Sequence, residues 1–343
     1  MEIERLSFHN PKGETARRLG VLAAKVLGVR SLFEAFAGGG SRTLLYARHL
    51  SLRRHHVNEG NRRFLCELLY RYLREELPAD TLTLSVEDFL TGWRRFACSG
   101  ERYDWVDLDP FGSPSPYLVG ALSLVRPGGF IYITSTDTAT LAGRRRGDDV
   151  RLYGIPLRGW ESHAELGART LIYTVWSAAN HLNMYARPLF TYYEGYAHRL
   201  LVQVEDRRRA EGIGYVHRCS GCGTYFTAER PESACPVCGE EAKAVGPLWI
   251  GPLYDRALLR EMESVARNLK WKKALKSLRL IGGEVDAPMY YILSDLRLPS
   301  TPSVRSVVRR LREGGYEASR TQFHPGAVKT NAPAPEVALA ALG

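Results

Sequence analysis

The 343-residue chain is poor in lysine, with 8 among 47 basic residues, so that 39 are arginine. It also has no apolar run near the roughly 20 residues that cross a bilayer, which excludes a helical membrane span. Its start, Met1-Glu2-Ile3-Glu4-Arg5, lacks the apolar core of a signal peptide. A soluble, cytoplasmic protein with no membrane partner is therefore expected, and nothing points to an obligatory protein partner. The third glycine of a dinucleotide fingerprint starting at Gly38 is also missing, because position 43 is Thr43, and this argues against a dehydrogenase. There is no internal repeat.

What is present is a net charge of +10 and a pI near 9.4. Arginine's planar fork suits phosphates and stacks on bases, so a polyanionic partner is one reading of this excess. Genome composition or adaptation to heat gives the same bias. The length calls for two domains and a small third module.

Alternating patterns organise the first 140 residues. Thr15 to Leu27 reads as a helix and Ser31 to Phe36 as a strand that breaks at Gly38-Gly39-Gly40, with a helix from about Ser41 to Leu50 after it. Strands are expected at 55–59, 81–85, 103–108 and 130–134, and helices over Arg62 to Leu73 and Tyr117 to Leu124. This βα alternation implies a doubly wound parallel sheet of the α/β class. Gly143 to Gly159, with Arg144-Arg145-Arg146, reads as a loop over the sheet's active edge. A helix over Glu161 to His181 and an antiparallel strand pair, 189–193 and 198–204, should end the sheet, and Arg207-Arg208-Arg209 marks a boundary. Farther on, a basic helix is expected over Asp255 to Leu280 and a shorter one over Ser303 to Arg312, started by Thr301-Pro302. A hairpin turning at Pro325-Gly326 follows, then a short Ala-rich tail. Helix and hairpin together suggest a winged-helix-like end.

Three constellations carry chemistry. Gly38, Gly39 and Gly40 let the backbone approach a ligand at a helix N-terminus, Glu59 ends the second strand where ribose hydroxyls would bind, and Asp88 follows the third strand near an adenine amine. That ordered set suits S-adenosylmethionine, although each position alone reads as well as an ordinary turn or a solvated strand end. Asp107-Leu108-Asp109-Pro110-Phe111-Gly112 puts Asp109 at the carboxyl end of the fourth strand, where a carboxylate could take a proton from an exocyclic amine and Phe111 could stack on its base. Asp-Pro is also a common turn starter, and Asp104 and Asp107 are weaker candidates. Cys219-x2-Cys222-x12-Cys235-x2-Cys238, each pair followed by a glycine, has the spacing of a closed structural zinc site. His217 beside it reads as a surface or supporting group and not a fifth ligand, and Cys66 and Cys98 read as plain thiols. Arg267, Lys270, Lys272, Lys273, Lys276 and Arg279 around Trp271, with Arg305, Arg309, Arg310, Arg312, Arg320 and Lys329, read as a phosphate-tracking surface.

Beyond these, Asp107 to Pro114, Ile155-Pro156-Leu157-Arg158-Gly159, Gly246-Pro247-Leu248-Trp249-Ile250-Gly251-Pro252-Leu253 and Gly315 to Thr321 follow one another at the spacing of a known family. Over residues 8 to 331 the chain resembles the tRNA (guanine-26-N2)-dimethyltransferases of archaea and eukaryotes. The resemblance implies a class I methyltransferase domain with a Rossmann-like sheet over 1–207, a zinc-ribbon-like module over 208–252 and a small α+β tRNA-binding domain over 253–343. It implies transfer of one or two methyl groups from S-adenosylmethionine to the N2 of guanine 26 in tRNA. The family's residues map onto Asp109, Pro110 and Phe111 at the reaction centre, Phe8 and Phe111 at the base, and Arg17, Gly38, Gly39, Gly40, Glu59, Asp88 and Phe89 at the cofactor. The family's Asn-Arg-Asp is Ala16-Arg17-Arg18 here, and Glu59 stands where the family has Asp. An amino methyltransferase for another tRNA nucleotide or for DNA, or a non-catalytic RNA-binding zinc protein on the same fold, are the alternatives.

Overall fold

The computed structural model describes residues 13–206, 211–296 and 302–343. Phe8, Arg207 to Arg209 and Thr301 lie outside the described residues. In chain order the first elements are α1 (Glu14–Val26), β1 (Ser31–Glu34), α2 (Ser41–His49), β2 (Arg54–Asn58), α3 (Arg62–Arg74), β3 (Leu82–Ser85), α4 (Phe89–Cys98), β4 (Tyr103–Leu108), α5 (Leu118–Leu122) and β5 (Val125–Ser135). Then come α6 (Thr138–Leu141), α7 (Asp148–Tyr153), α8 (His163–His181), β6 (Tyr185–Tyr193), β7 (His198–Glu205), β8 (Ile213–Cys219), β9 (Tyr225–Ala228) and β10 (Ala242–Trp249). The last are α9 (Arg256–Asn268), α10 (Lys272–Gly282), β11 (Tyr291–Ile292), α11 (Val304–Glu313), β12 (Ala318–Arg320), β13 (Ala327–Thr330) and α12 (Ala334–Leu342). Among the described residues no helix is long and apolar enough to cross a membrane.

Contacts divide the chain into two units, Met1–Thr136 with Val175–Arg208 and Asp255–Leu275, and Asp137–Thr174 with Arg209–Tyr254 and Lys276–Gly343. The first holds a seven-stranded sheet of order β3-β2-β1-β4-β5-β7-β6. β1 to β5 run parallel and β7 pairs antiparallel with both β5 and β6. Buried Leu32, Phe33, Trp105, Val106, Ile131 and Ile133 make the central strands apolar on both faces, as a sheet covered on both sides requires. Chain order reverses between β1 and β4. That switch point is where open α/β sheets leave a crevice.

The second unit has two small antiparallel sheets, β10-β8-β9 and β11-β13-β12. One apolar core unites Leu166 and Val337 of helices α8 and α12, Val216, Val245 and Val328 of the two sheets, and Met289 of the loop before β11. Beside it Lys329, wholly buried, places its Nζ 2.6 Å from Glu165 and 3.7 Å from Glu284. Arg169 adds a second cation, 2.7 Å from Glu165.

Several expectations need correction. The basic helix over 255–280 is two helices, because Lys270 takes a left-handed turn (φ 56°) that ends α9. Trp271 is buried, with the Arg18 guanidinium 5.1 Å from its ring centre. Lys329 leaves the expected phosphate surface, since two carboxylates hold it inside. Residues 143–159 are not all loop, for α7 lies within them. The Ala-rich tail is helix α12, whose Ala340 carbonyl accepts from Arg310 Nη1 at 2.9 Å. α4 forms although the 89–98 stretch carries no clear sequence signal, and Asp88 caps it through Thr91 N at 3.0 Å. Ser303 caps α11.

Candidate active site

The site grows from the ends of β1, β2 and β4. After Glu34 the chain leaves β1, and Ala35 N donates to the Asp107 carbonyl at 2.9 Å, which ties the two strand ends together. Gly38 (φ 54°) and Gly40 (φ 77°) then turn the backbone through the left-handed region into α2. A Cβ at Gly40 would stand 2.5 Å from Leu68 Cγ, so packing as well as φ demands glycine there. Below the turn, buried Glu34 accepts from Thr43 Oγ1 at 3.1 Å and meets His55 Nε2 at 2.7 Å.

Glu59, just past β2, closes the turn from the other side. Its Oε2 accepts from Gly38 N at 2.7 Å and its Oε1 from Asn61 N at 2.9 Å. Asn58 beside it uses its whole amide. Its Nδ2 donates to the Ala35 and Glu87 carbonyls, and its Oδ1 accepts from Ser85 Oγ and Glu87 N.

Asp109 follows β4 directly. Arg42 Nη2 donates to its Oδ2 at 2.6 Å and Arg199 Nη1 to its Oδ1 at 2.9 Å. The carboxylate nevertheless keeps a third of its side-chain surface open. Burial raises its pKa, but the Arg42 and Arg199 guanidiniums outweigh that and bring it down to about 2. Asp107, two residues back and fully enclosed, pairs with Arg42 and accepts from Tyr46 Oη at 2.6 Å. Burial pushes its pKa up to about 7 against the pull of Arg42, so Asp107 supports the arginine and has no route to a ligand. Asp104 lies at the other end of β4, accepting from Arg30 N and Ser31 N at 2.8 Å each.

A cavity of about 480 Å³ opens over these groups. Arg17, Gly38, Gly39, Glu59, Asp109, Pro110 and Phe111 from the expected set all line it. Gly40, Asp88 and Phe89 are not in its wall. Gly40 lies behind the turn, Asp88 uses its Oδ1 to cap α4, and buried Phe89 packs its ring 5.6 Å from Phe36. Gly112 exchanges hydrogen bonds with Thr136, N to Oγ1 at 2.7 Å and O from N at 3.0 Å, which fixes the turn carrying Phe111. Phe111 itself is 84% exposed.

Sequence reasoning missed Arg42 and Arg199. Arg42 sits in a helix where an arginine looks ordinary. Arg199 carried a signal, a lone charge at the start of the apolar run Leu200-Leu201-Val202, paired in register with Thr134 of β5. Arg17 and Tyr196 flank them, each placing a polar atom 3.0 Å from where a Gly13 Cβ would be. Burial and then the charges of Arg42 and Arg199 lower the pKa of Arg17.

In the second unit Cys219, Cys222, Cys235 and Cys238 bring their sulfurs within 4.8 Å of one another. Backbone amides donate to the first sulfur of each knuckle. Cys222 N donates to Cys219 Sγ at 3.3 Å and Val237 N to Cys235 Sγ at 3.4 Å, while Gly223 and Gly239 both have φ 79°. His217 is buried, a correction to its surface reading: Phe226 stacks on it and its Nε2 accepts from Glu232 N at 2.8 Å. Cys66 and Cys98 are exposed.

Comparison with known proteins places the chain in a family. The curated tRNA (guanine(26)-N(2))-dimethyltransferase of Methanocorpusculum labreanum is 31% identical, covering 96% of this chain and 88% of its own length. That of Methanoculleus marisnigri is 32% identical over 96% and 89%. Among solved structures, Trm1 from Pyrococcus horikoshii in complex with S-adenosyl-L-methionine superposes with a TM-score of 0.86 at 26% identity, covering 99% of this chain and 96% of that one. The sheet is that of a class I methyltransferase. A family model for N2,N2-dimethylguanosine tRNA methyltransferase matches residues 2–340, and the chain with its glycine turn, Glu59 and Asp109 belongs to that family.

Proposed function

We propose that this tRNA methyltransferase places the N2 amine of guanine 26 against Asp109 and transfers one or two methyl groups to it from S-adenosylmethionine. The observation that carries the assignment is the Asp109 carboxylate, held ionised by two arginines in one cavity with the glycine turn and Glu59. When bound, S-adenosylmethionine supplies an electrophilic methyl on a sulfonium. The residues present fit it. Gly38 has no atom within 4 Å of its missing Cβ, leaving room beside Glu59, whose oxygens have lone pairs left for ribose hydroxyls. Arg17 brings a cation to the wall for the methionine carboxylate. Asp88 and Phe89 then belong to the adenine end, outside the cavity wall.

Asp109 accepts an N–H of the guanine amine, which localises the nitrogen lone pair for attack. As the N–C bond would form and the sulfonium's C–S bond break, the nitrogen would become cationic and, conjugated to a purine, strongly acidic, so a carboxylate with a pKa near 2 suffices to take its proton. Phe111, exposed at the cavity rim, gives the extruded base a stacking face worth about 1–3 kcal/mol. Phe8 is assigned to the same base by family resemblance, in a segment outside the described residues. In this reading residues 1–207 do the chemistry, 208–252 are a zinc module and 253–343 bind tRNA through a winged-helix-like end, supported by α11 followed by the β12–β13 hairpin. The enzyme works in the cytoplasm. Incubation with tRNA and S-adenosylmethionine should give N2-methylated guanine at position 26 in a mass-spectrometric digest. Methylation confined to another nucleotide, or no cofactor binding by calorimetry, would overturn the assignment.

The four cysteines are proposed to hold a structural zinc. A tetrahedron with Zn–S bonds of about 2.3 Å has edges of about 3.8 Å, and the sulfurs of Cys222 and Cys235 lie 3.8 Å apart, those of Cys219 and Cys238 3.4 Å. Four thiolates leave no open position, so the metal would be structural. Elemental analysis should find one zinc per chain, and Cys222→Ser should lose it. Its unfolding temperature should drop by more than the 2–4 °C or so that one kcal/mol is worth in a domain of this size. Full zinc content in the variant would refute the ligand set.

A further inference from the structure

A cavity of about 900 Å³ in the second unit has no part in this chemistry. It is bounded by the segment that carries Arg144-Arg145-Arg146 and by strands β8 and β10, and Arg146, Arg158, Arg218 and Lys243 line it together with Trp160 and Tyr215. Its one acidic lining residue is neutralised structurally. Asp149 is buried and spends Oδ1 on Gly147 N and Val150 N, both at 2.9 Å, and Oδ2 on Leu157 N at 2.8 Å. Those three bonds fold the 147–157 backbone around one carboxylate. Gly143 fixes the far side, where a Cβ would stand 2.9 Å from the Arg158 carbonyl carbon. Arg218 donates to Glu161 at 2.9 Å. Arg146, Arg158 and Lys243 are exposed, and no acid among the described residues pairs with them.

A built cavity with three cations turned to solvent and two half-buried aromatic rings suits a phosphodiester chain whose bases are unstacked. Duplex RNA offers mainly backbone and a shallow groove, whereas unpaired segments insert bases between rings. Resting on the tRNA reading above, we infer that this cavity binds an unpaired stretch of the tRNA substrate, with Arg146, Arg158 and Lys243 on its phosphates and Trp160 and Tyr215 against its bases.

The test is the full-length triple variant Arg146→Ala/Arg158→Ala/Lys243→Ala. The KM for tRNA should rise at least tenfold with kcat at saturating tRNA and affinity for S-adenosylmethionine unchanged. The salt slope of tRNA binding should fall by about 2, near 0.7 for each single-strand phosphate that is no longer neutralised. Arg146→Lys/Arg158→Lys should retain most of the affinity, which a merely structural role would not predict. A short unpaired oligoribonucleotide should compete with tRNA for the wild-type protein and lose that effect on the variant. A duplex RNA of the same length, or inorganic phosphate at matched phosphate concentration, should not compete. Unchanged tRNA affinity and salt slope in the variant, while the wild type binds and methylates tRNA, would overturn this inference alone. Equal competition by phosphate would make the cavity a free-anion site and overturn it too. A wild-type protein that neither binds nor methylates tRNA would bring down the functional reading itself.

Discussion

Asp109→Asn is expected to lower turnover by about 10²- to 10⁴-fold, the usual worth of a positioned proton acceptor, with little change in affinity for tRNA or S-adenosylmethionine. The amide keeps the shape but offers an N–H where the guanine amine needs an acceptor. Arg42 and Arg199 bind different oxygens of Asp109, so the amide keeps one arginine on its oxygen and sets its N–H2 against the other. Single-turnover kinetics with bound tRNA measure the effect free of product release. A variant within threefold of wild type would remove Asp109 from the chemistry. The acid side of the pH profile offers an independent check. With Asp109 held near 2, its ionised form persists far below the ordinary carboxylate range, so its protonation should not limit the rate as pH falls through 4. An acid limb that vanishes in Asp109→Asn and lies at an ordinary carboxylate value would contradict the arginine clamp.

Arg42→Leu should be the most costly single substitution for stability, about 3–5 kcal/mol at neutral pH, because it strands a buried carboxylate. Arg42 joins enclosed Asp107 to Asp109 and is itself 6% exposed. The pH dependence has a definite sign. Burial lifts the Asp107 pKa to about 7 in the folded chain, so between its ordinary value and 7 the folded state binds more protons than the unfolded one, and stability falls as pH rises. Asp109 acts oppositely. Its lowered value stabilises the fold above the ordinary carboxylate range, and that contribution is lost as pH falls toward 2. Removing Arg42 raises the folded values of both. The deficit against wild type should therefore be widest above pH 7 and narrow as the pH drops and Asp107 takes up its proton. Urea unfolding at pH 8 and pH 5 reads this directly. Equal deficits at the two values would show that Asp107 is not the group left exposed to the change.

The sheet was legible because most of its strands are short apolar runs punctuated by glycine, proline and acidic residues, a local signal, and β2, Arg-His-His-Val-Asn, falls between two such runs. That Glu59 and Asp109 sit at strand ends lining the cavity was legible for the same reason, since strand ends can be counted along the chain. The clamp was not. Arg42 and Arg199 reach Asp109 from positions 67 and 90 residues away, and long-range pairing leaves no mark in a local pattern. Lys329 failed in the opposite way, looking like one more surface cation until Glu165, 164 residues earlier, is brought against it. Helix α4 shows a third kind of limit. Phe89-Leu90-Thr91-Gly92-Trp93 has weak intrinsic helicity, and it forms because Asp88 caps it and Phe89 packs beneath Phe36.

The saturated amide of Asn58 bears on how fast this enzyme can begin a cycle. By stitching β1, the Ser85 end of β3 and the Glu87 loop into one rim, it removes the need to order backbone when a ligand arrives. Encounter should then resemble docking on a finished surface, with a small entropic penalty and single-phase association. Amides of the Gly38 turn and the Glu87 loop should accordingly exchange with deuterium slowly even before any ligand is added.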